Sequence, residues 1–183
     1  NIGQEAQKRG LPNIKAYRMD VNSLELNTQF DRIISIEMFE HLRNYKLILR
    51  SLNNLLKPYG RLFIHIFCHK KLTYFYEMKN NFDWMTKYFF QGGIMPSKDI
   101  FEYFDDELEI INQWDINGNH YSKTCKAWLN NHYKNRKKIL DIFHKHYDKP
   151  KIWFNRCRIF FLSCEAFFAL NNGKELVVNS KLL

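Results

Sequence analysis

Residues 30–45 read FDRIISIEMFEHLRNY. Ile33, Ile34 and Ile36 form a short β-branched run, the pattern of a parallel strand covered on its faces. Glu37, Glu40 and His41 follow at once, with Met38 and Phe39 between them. The carboxyl end of an apolar strand is where open α/β sheets place their ligands and their chemistry. The three ionisable residues are three and four positions apart, so one helical turn would bring them onto one face.

The flanks of this run support a sheet with crossover helices. Gln4 to Gly10 reads as a helix end, closed by Gly10 with Pro12 beyond it. Ile14 to Asp20 is a short strand candidate. From Asn44 to Leu56 the apolar positions Tyr45, Ile48, Leu49, Leu52, Leu55 and Leu56 keep helical spacing, which stops at Lys57-Pro58. Gly60 opens another strand, Arg61 to Phe67. The β-α-β-α-β alternation predicts an α/β fold with a parallel sheet. After Cys68 the pattern changes. Residues 70–96 are rich in aromatics, with turns at Gly92-Gly93 and Pro96. Ser97 suits an N-cap for a short helix through Phe104. Leu108 to Ile116 alternates as a strand, and His120 to about Tyr147 reads as helix in two pieces. Trp153 to Leu170 reads as a buried aromatic helix ended by Asn172-Gly173, with Leu176 to Val178 a final edge strand. No repeat or low-complexity linker interrupts the chain, which fits one compact domain.

Composition narrows the function classes. With 183 residues, 45% of them hydrophobic and 16% aromatic, the chain has the makings of a globular core rather than of disorder. No stretch is long and apolar enough to span a bilayer; Ile152 to Leu170 is broken by Asn155, Arg156, Arg158 and Glu165. The first residue is Asn rather than Met, which reads as a fragment of a longer protein. Cys68, Cys125, Cys157 and Cys164 show no CxxC pair and no zinc spacing, and read as reduced thiols of a cytoplasmic protein. His65, Cys68 and His69 do not suggest a metal site, because no fourth ligand is near. The net charge is +9, densest between Lys134 and Lys151. A solvated helix face explains that density better than a nucleic-acid or acidic-lipid surface.

EMFEH followed by Tyr resembles the cyclopropane-fatty-acid-synthase-like methyltransferases, in particular the coclaurine N-methyltransferase branch. The resemblance continues through HIFCHK (65–70), DWMTKYFFQGGIMPS (83–97), NGNHYSKTCKAWL (117–129), RIFFLSCEAFF (158–168) and NNGKEL (171–176). It covers nearly the whole chain from about Gly10. It implies a Rossmann-like class I methyltransferase fold, a three-layer sandwich with a mostly parallel sheet. No GxGxG occurs here, so it also implies that the first two strands, with their glycine-rich loop, lie upstream of Asn1. The chain would then be the C-terminal part of one methyltransferase domain, with the core sheet in about residues 10–68 and acceptor-pocket elements in about 70–183. Losing two neighbours would leave a sheet edge open and the isolated fragment weakly stable.

The resemblance also implies roles. Asp20 would accept from the adenine amino group of S-adenosylmethionine, with Val21 and Ile36 also against the donor; the alternative for Asp20 is a turn cap. Glu37, Glu40 and His41 would line an amine pocket. Free aliphatic amines are protonated at neutral pH, so methyl transfer to nitrogen needs a base or a proton path. Two close carboxylates raise the pKa of one of them, toward useful basicity, and His41 could relay the proton. In the lipid-modifying branch the Glu40, His65 and Tyr121 positions hold a bicarbonate instead. Trp84, Phe89, Phe90 and His120 would contact the acceptor, the aromatic faces suiting a cation. The chain departs from the family at Cys157, Leu170, Leu176, Ser180 and Lys181, so its acceptor could differ from benzylisoquinoline alkaloids. The function implied is S-adenosylmethionine-dependent methylation of a small amine, without nucleic acid. Its rivals are alkylation of lipid acyl chains at a membrane surface and an inactive truncated domain.

Overall fold

The computed structural model describes residues 2–80, 82–104 and 106–183. The chain begins with α1 (Ile2–Lys8), which ends at Gly10 in the left-handed conformation, φ 64°. Then come β1 (Phe30–Ile36), α2 (Tyr45–Asn54) and the long β2 (Leu56–His69). Two short strands, β3 (Tyr74–Phe75) and β4 (Ile94–Met95), form a separate two-stranded sheet. β5 (Asn112–Ile116) leads into α3 (Gly118–Lys134), α4 (Arg136–His146), α5 (Pro150–Gly173) and β6 (Leu176–Leu182).

The main sheet has the order β1-β2-β6-β5. β1 runs parallel to β2, with Ile33 opposite Leu62 and Ile36 opposite His65. β6 is antiparallel to both of its neighbours, β2 and β5. Alternation along β2 separates two cores. Leu62, Ile64 and Ile66 face α2 and pack with Phe39, Leu49 and Phe101. Phe67 faces the other way, into a cluster with Cys125 of α3, Cys164 and Phe168 of α5, and Leu176 and Val178 of β6. Helices therefore cover both faces of the sheet. Each fully buried Leu or Ile contributes ~1.5–3 kcal/mol relative to exposure.

The α/β layering, β1 and the split of α3 from α4 match the sequence reading. β5 starts at Asn112 rather than Leu108 and β2 runs from Leu56 to His69 rather than from Arg61 to Phe67, and four larger details differ. Ile14–Asp20 is exposed coil, because β1 is the sheet edge and no described strand lies beside it. β6 is a buried central strand of seven residues, not a short edge, since it supplies the ladder between β2 and β5. The sheet of the described strands is mixed, and it draws strands from both halves of the chain, so it does not stop near residue 68. α5 buries one stripe (Phe154, Cys164 and Phe168) and leaves Leu162, Phe167 and Leu170 exposed. Its last turn leaves helical geometry at Leu170, and Asn171, Asn172 and Gly173 are left-handed, at φ 52°, 55° and 72°. Asn and Gly are the residues that tolerate this conformation. None of the described helices is long and apolar enough to cross a membrane.

Candidate active site

A cavity of about 550 Å³ opens at the carboxyl ends of β1 and β2. Glu37, Glu40 and His41 line it from the loop after β1, Phe67 and His69 from β2, Tyr121 from α3 and Phe168 from α5. Tyr76, Met85 and Phe90 come from the segment between β2 and β4. The wall is mostly apolar and aromatic, with carboxylates set into it.

Glu37 ends β1 in the left-handed region, φ 50°. Its N–H donates to the His65 carbonyl at 2.8 Å, so the sheet ladder holds the backbone while the side chain turns into the cavity. Non-glycine residues in this conformation carry strain and gather at functional sites. The Tyr121 hydroxyl donates to Glu37 Oε2 at 2.9 Å, while Oε1 is buried with no hydrogen-bond partner among the described residues. Burial raises the Glu37 pKa, and the Tyr121 bond opposes that rise.

Glu40 sits in a 3-10 turn, Phe39–His41, and is 1% exposed. Both of its carboxyl oxygens are buried without a hydrogen-bond partner among the described residues. Burial, with Glu37 as the nearby like charge, pushes its pKa up to about 8. Phe39 anchors the turn. It is fully buried, and its carbonyl accepts from the Tyr45 hydroxyl at 2.9 Å. Gly93 packs so close to the turn that a Cβ there would lie 2.7 Å from the Glu40 carbonyl oxygen. His41 is exposed at the rim, its ring stacked near Phe90 with centroids 6.4 Å apart. All three residues line the cavity, but the single helical turn that the spacing predicts does not form: only Glu40 and His41 sit in the short 3-10 turn, and Glu37 precedes it in left-handed backbone.

Other expected site residues are placed differently. His65 is on the same face of β2 as Phe67 but lines a neighbouring pocket with His120 and Tyr121, and its Nδ1 bonds the Ser180 hydroxyl at 2.9 Å. Phe89 stacks on Phe160 at 4.3 Å and touches Trp84, so both stand behind the cavity wall and only Phe90 of that group lines it. Their packing on α5, invisible in the local sequence, decides this. Asp20 caps a 3-10 turn, accepting from the Asn22 N–H at 2.9 Å, and lies on the surface. Val21 packs against the α2 core, and Ile36 is 60% exposed on the edge strand. Among the described residues no cluster suits a metal ion, and the four cysteines are free.

Cavity residues not expected as site groups include Phe67, His69, Tyr76, Met85, Phe168 and Glu175. The alternation of β2 places Phe67 and His69 on one face, a signal readable from the strand alone. Glu175 gives no such signal, since only the pairing of β6 with β2 brings it there.

Residues 3–171 match a family model described as mycolic acid cyclopropane synthetase. The chain belongs to this family. Within the cyclopropane synthetase family it is 34% identical to the (S)-coclaurine N-methyltransferase of Thalictrum flavum subsp. glaucum, over 99% of this chain and 52% of that protein. It is 34% identical to the Papaver somniferum (S)-coclaurine N-methyltransferase, over 94% of this chain and 50% of that protein. The chain thus spans about half the length of the curated relatives it matches. A crystal structure of coclaurine N-methyltransferase bound to N-methylheliamine and SAH superposes with a TM-score of 0.91 at 34% identity, covering 99% of this chain and 54% of that one. A Mycobacterium tuberculosis cyclopropane synthase shares the fold, with a TM-score of 0.69 at 18% identity over 86% of this chain and 56% of that chain. The fold is that of the class I methyltransferases, as the sequence reading expects.

Proposed function

We propose that this chain forms the acceptor pocket of an S-adenosylmethionine-dependent N-methyltransferase acting on a small amine. The observation that carries this reading is the pair of buried carboxyl groups, Glu37 and Glu40, at the end of an otherwise aromatic cavity. Three oxygens of the pair have no hydrogen-bond partner among the described residues. Buried polar groups are normally satisfied. An ammonium brings donors and the opposite charge, which answers both needs.

The residues then divide the work. Tyr121 holds Glu37 as an oriented carboxylate. An entering ammonium lowers the pKa values of both acids, because opposite charge favours their ionised forms. As the nitrogen gives up its proton to the carboxylate pair, Glu40, with a resting pKa of about 8, is matched to hold it near neutral pH. His41, exposed at the rim, passes the proton to water. Phe67, Tyr76, Phe90 and Phe168 exclude water and present aromatic faces to the cation. S-adenosylmethionine, when bound, supplies the electrophilic methyl carbon. Asp20 fits its adenine amino group, since both Asn22 bonds go to Oδ1 and leave Oδ2 without a partner among the described residues. Val21 and Ile36 would lie beside it. Holding donor and acceptor in line supplies much of the acceleration.

The lipid-alkylating reading needs Glu40, His65 and Tyr121 around one bicarbonate, but His65 opens into a different pocket from Glu40. Calorimetric titration of S-adenosylmethionine into this chain and into a form extended upstream, followed by methyl transfer to a panel of amines and phospholipid vesicles, tests the proposal. Amine methylation by the extended form supports it. Donor binding with turnover of lipid alone, or no donor binding by either form, overturns it.

A further inference from the structure

The cavity has a second polar end that the amine chemistry does not use. His69 closes β2, and Glu175 stands just before β6, where His69 pairs with Leu176. Both line the same cavity as Glu37 and Glu40. His69 Nδ1 accepts the Lys71 N–H at 3.0 Å and the Leu72 N–H at 2.8 Å. A nitrogen that accepts carries no proton, so the ring proton sits on Nε2. That Nε2–H points at Glu175 Oε1, 3.2 Å away. The backbone thus fixes the histidine tautomer, and the histidine fixes one carboxylate oxygen. The Glu175 carbonyl accepts from the Lys70 N–H at 2.9 Å, which holds the backbone as well.

Among the described residues only Oε1 of Glu175 is engaged, which leaves Oε2 as an acceptor at the far end of the cavity. Glu37 is anchored on the His65 carbonyl, and His69 lies four residues farther along β2, ~13 Å at the rise of a strand. The wall between the two ends includes Phe67, Tyr76 and Phe168. We infer that Glu175, oriented by His69, recognises a hydroxyl group on the far side of an aromatic amine substrate, which makes it a specificity residue. This rests on the amine-methylation reading for the identity of the near end. A hydroxyl suits the far end better than a second ammonium, because burying a second charge against apolar walls costs more than burying a neutral donor. A methyl ether in that position offers Glu175 no proton and leaves its carboxylate facing an ether oxygen.

Calorimetric titration of this chain with tyramine and 4-methoxyphenethylamine tests the assignment. Tyramine binds ~10-fold more tightly, the gain of one charge-assisted hydrogen bond at a partly exposed site. Glu175→Gln brings the two ligands within ~2-fold of each other, while Glu40→Gln weakens both alike, by ~10-fold. His69→Gln can still donate to Glu175 and retains part of the preference; His69→Leu loses it. Equal binding of the two ligands by the wild type overturns the inference, as does a preference that survives Glu175→Gln. A diamine with an aminomethyl group in place of the hydroxyl, if it binds more tightly than tyramine, overturns the hydroxyl assignment. 4-Ethylphenol and 4-ethylanisole carry no amine. A phenol preference in that pair that Glu175→Gln removes, with no binding of either amine, keeps the hydroxyl subsite and sinks the amine reading.

Discussion

Tyr121 of α3 donates its hydroxyl to Glu37 Oε2 at 2.9 Å across 84 positions of sequence. The bond ties the helical layer to the carboxyl end of the edge strand and favours the ionised form of Glu37, opposing the burial that raises its pKa. Tyr121→Phe removes the donor and leaves the ring packing on Phe168 (centroids 4.4 Å apart) in place. A hydrogen bond to a charged group contributes ~1.5–3 kcal/mol, so losing it moves the Glu37 pKa further up. The acid limb of a pH–rate profile for amine methylation, measured on a donor-binding form of the protein, shifts to higher pH. An unmoved limb means that the bond does not set the ionisation of Glu37.

Glu40 bears on stability as well as on chemistry. Its folded pKa of about 8 lies above the ordinary carboxylate value of 4.5. The folded state therefore binds more protons than the unfolded state between these values, and stability falls as pH rises from about 4.5 through about 8. Below that window the contribution is fully present. Glu40→Gln keeps the shape without the charge and flattens this dependence. Thermal melts at pH 5 and pH 8.5 show it: the wild-type Tm drops between the two, and the variant gains ~4 °C or more over the wild type at the higher pH.

Gly93 lets the loop before β4 close on the Phe39–His41 turn. An added Cβ would meet the Glu40 carbonyl oxygen at 2.7 Å, closer than real Cβ contacts run. Gly93→Ala therefore pushes the turn away and shifts Glu40. The expected cost is ~1–3 kcal/mol of stability together with a ~10-fold or greater loss of methyl transfer. A variant with wild-type Tm and activity would show that the loop yields freely.

The four cysteines differ in reactivity. Cys68, Cys125 and Cys164 are buried, and only Cys157 is partly open. Burial raises the Cys68 pKa to about 12, which suppresses its thiolate further. Cys164 donates to Cys125 at the cavity wall, which lowers the Cys125 pKa, and partial burial raises that of Cys157, so access rather than thiolate character singles out Cys157. A thiol reagent at neutral pH labels one site per chain in the fast phase, and Cys157→Ser abolishes that phase. Fast labelling of two or more sites would mean that α5 opens readily.

Among the described strands β1 is the sheet edge, with Ile34 67% and Ile36 60% exposed. An apolar edge strand is a template for pairing between chains. This 183-residue chain aggregates in proportion to concentration, and Ile34→Lys lowers its light scattering without lowering the Tm. Scattering unchanged by the substitution would place the sticky surface elsewhere, the exposed stripe of α5 (Leu162, Phe167, Leu170) being the next to test.

The amino-acid sequence by itself determined the elements whose cause is local. The isoleucine run made β1, the spacing from Tyr45 to Leu55 made α2, and the closeness of Glu37, Glu40 and His41 in the chain put all three at the strand end. These follow from side-chain periodicity and turn chemistry, which operate over a few residues. Only the tertiary structure decided what depends on pairing across the chain. It placed β6 at the centre of the sheet and left 14–20 as coil beside an open edge. It turned His65 toward Ser180 and out of the cavity, moved Trp84 and Phe89 behind Phe160, and brought Glu175 to His69. A residue's neighbours across a sheet or between helices are set by register and packing over a hundred positions, and no short-range pattern encodes them.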